Sequence, residues 1–294
     1  MDTTNSSGKI ASLSSQDSVR VSSPDSFQEH LPKFQGQTPT DTAFASPCNP
    51  FPIVMNAYAQ WGQFKSFNIC GATEEDRLYL VEVHTGYSAS GPLGRRPGVL
   101  LHNGTSKKDP ILAAAGDESQ FAARAYSFNN ESIILMPPLR GSTAAQTGDF
   151  VTERMRASVS SGQVTFDFDI EVGSGDKLRQ ERFQWRKIKK GTDGSAKEGG
   201  FTLVAANSGA PSTPSSSSST NADGHVVALL MWRKLFPTFK HAFTLELFGR
   251  GLSGELGERW RLMVVMTALR LWTIRVKGKT TKGLIAMGEK MSTK

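Results

Sequence analysis

Between about residue 64 and residue 248 the chain alternates apolar and polar positions in short runs, and after residue 255 a longer period takes over. The clearest run is Gln163 to Glu171, with Val164, Phe166, Phe168 and Ile170 on one side and Thr165, Asp167, Asp169 and Glu171 on the other. Strand side chains point alternately to two faces, so the pattern predicts a strand with one face in a core and the other in water. Arg182 to Ile188 repeats it, with Phe183 and Trp185 inward and basic residues outward. Further strands are predicted at 64–69, 77–84, 98–102, 110–115, 121–128, 132–136, 151–155, 201–205, 225–232 and 239–248. Pro50 to Val54 reads as an anchor tucked against the folded body.

Residues 255–276 predict a helix, because Trp260, Met263, Val264, Thr267, Ala268, Leu271 and Ile274 recur at three- and four-residue steps. Its other face is also apolar, through Leu262, Val265, Met266 and Leu269. A helix apolar all round is one enclosed by protein. At roughly 1.5 Å per residue it would be about 33 Å long, enough to cross a bilayer. Arg259, Arg261, Arg270 and Arg275 argue against that reading by interrupting the apolar stretch. Eleven or twelve short strands suggest a closed antiparallel barrel whose lumen is wider than its own side chains fill, and this helix is the natural filling. The fold expected is therefore mainly β: a many-stranded barrel around one hydrophobic C-terminal helix.

The flanks differ in composition. Residues 1–50 are rich in Ser, Thr, Asp, Gln and Pro and are expected to be a disordered tail. Residues 207–224 form a Ser-rich insert within a single domain spanning 51–276, and 277–294 form a basic tail. No secretory signal opens the sequence, and Cys48 and Cys70 cannot make a disulfide framework. A non-secreted protein is expected, cytoplasmic, at a membrane periphery or nuclear. The net charge of +7 and pI near 9.4 favour an anionic partner.

Three stretches carry a family resemblance: Arg182-Phe183-Gln184-Trp185-Arg186, then His225-Val226-Val227-Ala228, then Leu256-Gly257-Glu258-Arg259-Trp260 with the apolar helix behind it. They are similar to fungal proteins of the tubby C-terminal-like class, which includes tubby proteins, phospholipid scramblases and the LURP-one-related proteins. The resemblance covers about residues 60–276. It implies a non-enzymatic barrel and, from tubby proteins, a basic surface that binds phosphoinositide, although no lipid-contacting residue maps across individually.

Motifs for catalysis are weak. Gly249-Arg250-Gly251-Leu252-Ser253-Gly254 spells a dinucleotide fingerprint, but no acidic residue follows at the right distance. The glycines read better as a sharp turn into the lumen, with Ser253 as helix cap. Gly278-Lys279-Thr280 echoes a phosphate loop, but Thr273 stands where glycine is required and no helix is predicted beyond. His30, His84, His102, His225 and His241 show no metal-ligand spacing, and Asp167, Asp169 and Glu171 fall on a solvated strand face. No catalytic, cofactor or metal residue is assigned, and no cofactor is expected.

The lead is basic. Arg182 and Arg186 share a face with Gln184 and, if the strand continues, Lys190; Lys187 and Lys189 lie beside them. Lys277, Lys279, Lys282, Lys290 and Lys294 add charge to the tail. The expected function is a binding or adaptor module at an anionic, phosphoinositide-type membrane surface, with a protein partner also open. The alternatives are an enzyme or small-ligand carrier with its site in the barrel mouth, and a nucleic-acid-associated regulator.

Overall fold

The computed structural model describes residues 49–59, 65–88, 91–118, 130–139, 148–160, 162–173, 177–188, 198–206, 226–233, 241–278 and 280–292. The expected tail, the Ser-rich insert and the strand predicted at 121–128 lie outside these residues, apart from Asn49 and Pro50. Twelve strands form one closed barrel: β1 (Val54–Ala59), β2 (Ser66–Cys70), β3 (Arg77–His84), β4 (Gly98–His102), β5 (Ile111–Asp117), β6 (Glu131–Met136), β7 (Val151–Ser160), β8 (Gln163–Val172), β9 (Arg179–Ile188), β10 (Gly200–Ala206), β11 (Val226–Trp232) and β12 (His241–Leu247). Each strand pairs antiparallel with its sequence neighbour, and β1 closes the ring on β12, with Met55 opposite Leu245 and Ala57 opposite Phe243. The first strand thus precedes the one predicted at 64–69. Phe51 is an anchor as expected, buried and stacked on Tyr79 at 4.8 Å.

Helix α1 (Gly257–Val276) fills the lumen, and Leu262 to Leu271 are buried without a break. The inward strand positions meet it: Phe183 packs on Trp260, Phe67 on Trp272, and Trp185 donates its indole N–H to Thr267 Oγ1 at 3.0 Å. Thr267 also donates to the Met263 carbonyl, a local bond that lets a hydroxyl sit at the barrel's centre. Two helix arginines reach wall carboxylates. Arg259 Nη2 meets Glu153 at 2.6 Å, while Arg270 binds Asp117 and donates to Ser132 Oγ at 2.9 Å. These contacts set the helix at a fixed height and rotation.

The chain turns into the lumen through a 3-10 turn, Gly249–Gly251. A Cβ on Gly251 would lie 2.5 Å from the Val227 carbonyl and 2.8 Å from the Trp260 ring, so only glycine fits there. Ser253 does not cap the helix. The cap position is Leu256, without a side-chain bond, and Ser253 instead donates to the Arg250 carbonyl within the turn. The dinucleotide reading fails on topology, since every strand pairing is antiparallel and the helix after the glycines enters a barrel.

The C-terminal segment is more ordered than predicted. Lys282–Ser292 forms a second helix, α2, with Ile285 buried in the main core. Asn130 donates to the Ile285 carbonyl at 2.8 Å, and Glu289 accepts from the Val159 amide at 3.1 Å. A helix therefore does follow Gly278-Lys279-Thr280. The phosphate-loop echo still fails, because Thr273 to Val276 are helical and Thr273 is buried against Arg270.

Candidate functional site

Strand order defines two ends of the lumen. Helix α1 goes in at an inlet ringed by Met136, Val151, Val172, Arg179 and Leu247, and comes out at an outlet ringed by Asp117, Glu131, Ile188, Gly200 and Trp232. The alternation in β9 is as read from sequence: Phe183 and Trp185 are buried, while Arg182 and Arg186 are exposed with Gln184 between them. Register then decides what the exposed arginines can do. Arg182 lies opposite Asp169 and grips it through two hydrogen bonds, at 2.9 and 3.2 Å. Arg186 donates to Gln184 Oε1 at 2.7 Å, and Gln184 in turn donates to Asp167 at 2.6 Å. Arg156 on β7 faces Asp167 from the other side. Cations and carboxylates thus alternate across β7, β8 and β9, and the wall is of mixed sign, with Arg182 and Asp169 its ion pair.

Lys187 has the other parity and leaves the wall. Its ammonium donates to the Thr280 carbonyl at 3.1 Å, tying the end of β9 to the segment between α1 and α2. Lys189 and Lys190 lie outside the described residues. The outlet gathers further basic groups that sequence placed in a featureless tail. Lys277, Lys282 and Lys290 are exposed there, with Val276 59% and Met287 51% exposed among them. Arg275 lies 4.8 Å above the Trp232 ring; burial lowers its pKa, opposed by the charge of Glu198.

The mouth-site alternative meets a lumen already occupied by α1. An open cavity of about 700 Å³ lies instead on the outer wall, lined by Pro92, Arg96, Glu118, Ile133, Leu135, Thr152 and Arg154. It exists because the strap 91–97 folds back over β4 to β6, burying Leu93 against Leu100, Ala114, Ile133 and Leu135. Gly116 makes room for it, since the Leu93 methyl sits 3.0 Å from where a Cβ would be. The Gly94 carbonyl contacts His84 Nε2 at 2.7 Å and Arg96 Nε donates to the Glu118 carbonyl at 2.9 Å, holding the strap at its middle and near its end.

Cys48, His30 and His225 lie outside the described residues, and the other candidates have structural explanations. Cys70 is buried and its thiol is pushed up to about 11, chiefly by burial, which disfavours the thiolate a nucleophile needs. His102 contacts the Asp109 carbonyl, and His241 stacks on Tyr58 with its pKa lowered by burial and by Arg233. Among the described residues no three His, Cys, Asp or Glu side chains are grouped to hold a metal. Among them, too, no helix is long and apolar enough to cross a membrane. No family model, curated protein or solved structure matches the chain.

Proposed function

We propose that the protein is a peripheral binding module that rests the outlet end of its barrel on an anionic membrane surface, a role in line with the tubby-like class its motifs resemble. The observation that carries this reading is the pairing, at one end of the barrel, of two exposed apolar side chains, Val276 and Met287, with exposed Lys277, Lys282 and Lys290. Near an anionic leaflet each lysine is worth on the order of 1 kcal/mol, and insertion of the Val and Met side chains adds apolar burial. Attachment would be weak, reversible and sensitive to salt. A nucleic acid would need the same cations with exposed aromatics for stacking. Among the described residues only Tyr87 is an exposed aromatic, and it lies on the β3–β4 connection.

The test is co-sedimentation of the full chain with phosphatidylcholine vesicles, alone or containing phosphatidylserine or a phosphoinositide, at low and high salt. Pelleting is expected only with the anionic lipids, released by salt, and reduced in Lys282→Glu/Lys290→Glu. Arg182→Glu/Arg186→Glu should pellet like the parent. Failure to pellet, or a loss confined to the β9 variant, would overturn the outlet reading.

A further inference from the structure

The outer-wall groove has a polarity of its own. Register places Arg154 opposite Ile133 and Thr152 opposite Leu135, two positions apart along β6 and β7, or roughly 7 Å. The Arg154 end faces the outlet, where Glu118 hydrogen-bonds through its amide to the Glu131 carbonyl. Leu135 and Thr152 mark the other end. One end therefore carries two guanidinium groups and the other is aliphatic.

The guanidinium groups differ in what they have left to give. Arg154 commits one nitrogen, Nη1, to both Glu118 and Glu131. Arg96 is half-buried, uses only Nε, and gives that to a backbone carbonyl. No carboxylate lies within ion-pair distance of Arg96 among the described residues. A guanidinium carries five N–H donors in a planar fork, so Arg96 keeps two nitrogens for an acceptor with two oxygens. The four side chains carry two positive and two negative charges, but both carboxylates engage Arg154, so Arg96 is the guanidinium of the groove that has no ion-pair partner among the described residues. That arrangement favours a monoanion over a dianion.

We infer that this groove is a binding site for a small aliphatic carboxylate, its head on Arg96 and its chain along Pro92, Ile133 and Leu135. The volume of about 700 Å³ falls within the range of small-molecule sites, and Pro92, Ile133 and Leu135 supply apolar lining beside the polar Arg96, Glu118, Thr152 and Arg154. The inference is independent of the membrane reading, since the groove lies on the wall of β5 to β7 and shares no residue with the outlet lysines.

The experiment is calorimetric titration of the full chain with decanoate below its micellar concentration, beside decanol and decyl phosphate. Hydrogen–deuterium exchange on the unmutated protein accompanies it. Decanoate should bind saturably, about tenfold more tightly than decanol, because the head contributes a charge-assisted hydrogen-bonded pair. Decyl phosphate should bind more weakly than decanoate. Arg96→Gln should lose about tenfold in decanoate affinity with an unchanged melting temperature. Exchange should slow in residues 91–97 on decanoate addition, a readout that needs no variant. No saturable binding, equal affinity for decanol, preference for the phosphate, an unaffected Arg96→Gln, or protection confined to other segments would each overturn the assignment.

Discussion

Where α1 goes into the barrel, the arginines around the entering turn are held by carboxylates. Arg259 meets Glu153, Arg179 and Arg250 share Glu181 and Glu255, and Arg261 meets Glu258 at 3.0 Å. Where α1 comes out, Arg275 lies on an indole ring and Lys187 is bonded to a carbonyl, while Lys282 has no ion-pair partner among the described residues. The two ends draw on similar residues but use them differently. At the inlet the charges satisfy one another and hold the turn that feeds the helix inward. At the outlet Arg275 and Lys187 are spent on a ring and a carbonyl, and Lys277, Lys282 and Lys290 stand exposed.

The largest effect tests the element both ends share. Leu269→Asp places an unpaired charge at the fully buried middle of α1 and should abolish the cooperative melting transition, read by circular dichroism. An unchanged melt would refute the plugged barrel. Next comes the inlet pair: Glu153→Leu strands the buried Arg259 with the Pro137 carbonyl and should cost about 3–5 kcal/mol in denaturant unfolding. At the outlet, Arg275→Met removes a cation from an aromatic face and should cost no more than about 1–2 kcal/mol. An equal cost at the two ends would erase the distinction drawn between them.

Acid sharpens the comparison further. Burial raises the pKa of Glu181, but hydrogen bonds and charge from Arg250 and Arg179 outweigh it, so the net shift is downward. A depressed carboxyl stabilises the fold above its ordinary value and loses that contribution as pH falls through the folded value. Stability should therefore drop as pH falls below 4.5, the ordinary value, and Glu181→Gln should flatten that limb by about 1 kcal/mol or less, since both arginines are well exposed. Smallest of all, Arg182→Ala should shift stability by no more than about 0.5 kcal/mol and leave vesicle binding unchanged.

Much of the barrel was readable because its strands obey period two. Val164, Phe166, Phe168 and Ile170 are buried as read, and the helix without a polar face is inside. β1 escaped notice for a physical reason. Its inward residues, Met55 and Ala57, are separated by Asn56, whose side chain is itself buried and bonded to Thr244 and to the Gly71 carbonyl. A polar residue at an outward position normally signals water, and here it signals another hydrogen-bonded layer. Helix α2 was hidden by Gly283 and Gly288, each costing roughly 1 kcal/mol of helix propensity. Packing of Ile285 on the barrel offsets that cost.

The groove left a trace that periodicity alone does not interpret. Val99-Leu100-Leu101 and Ile133-Ile134-Leu135-Met136 are unbroken apolar runs, and a strand apolar on both faces is covered on both. Such runs predict a second layer over that part of the wall, and the strap 91–97 is that layer. The neutralisation of Arg182 was not legible, because it depends on the register that sets it opposite Asp169.

The plug follows every strand of the barrel in the sequence, and this governs the route to the native state. The ring closes only when β1 meets β12, a contact such as Asn56 to Thr244 spanning 188 positions, and the helix that fills it follows afterwards. A nascent chain that has completed β12 still has an inward surface with nothing to pack on. Folding is therefore expected to wait for the helix and to proceed through many distant pairings, the topology that slows folding.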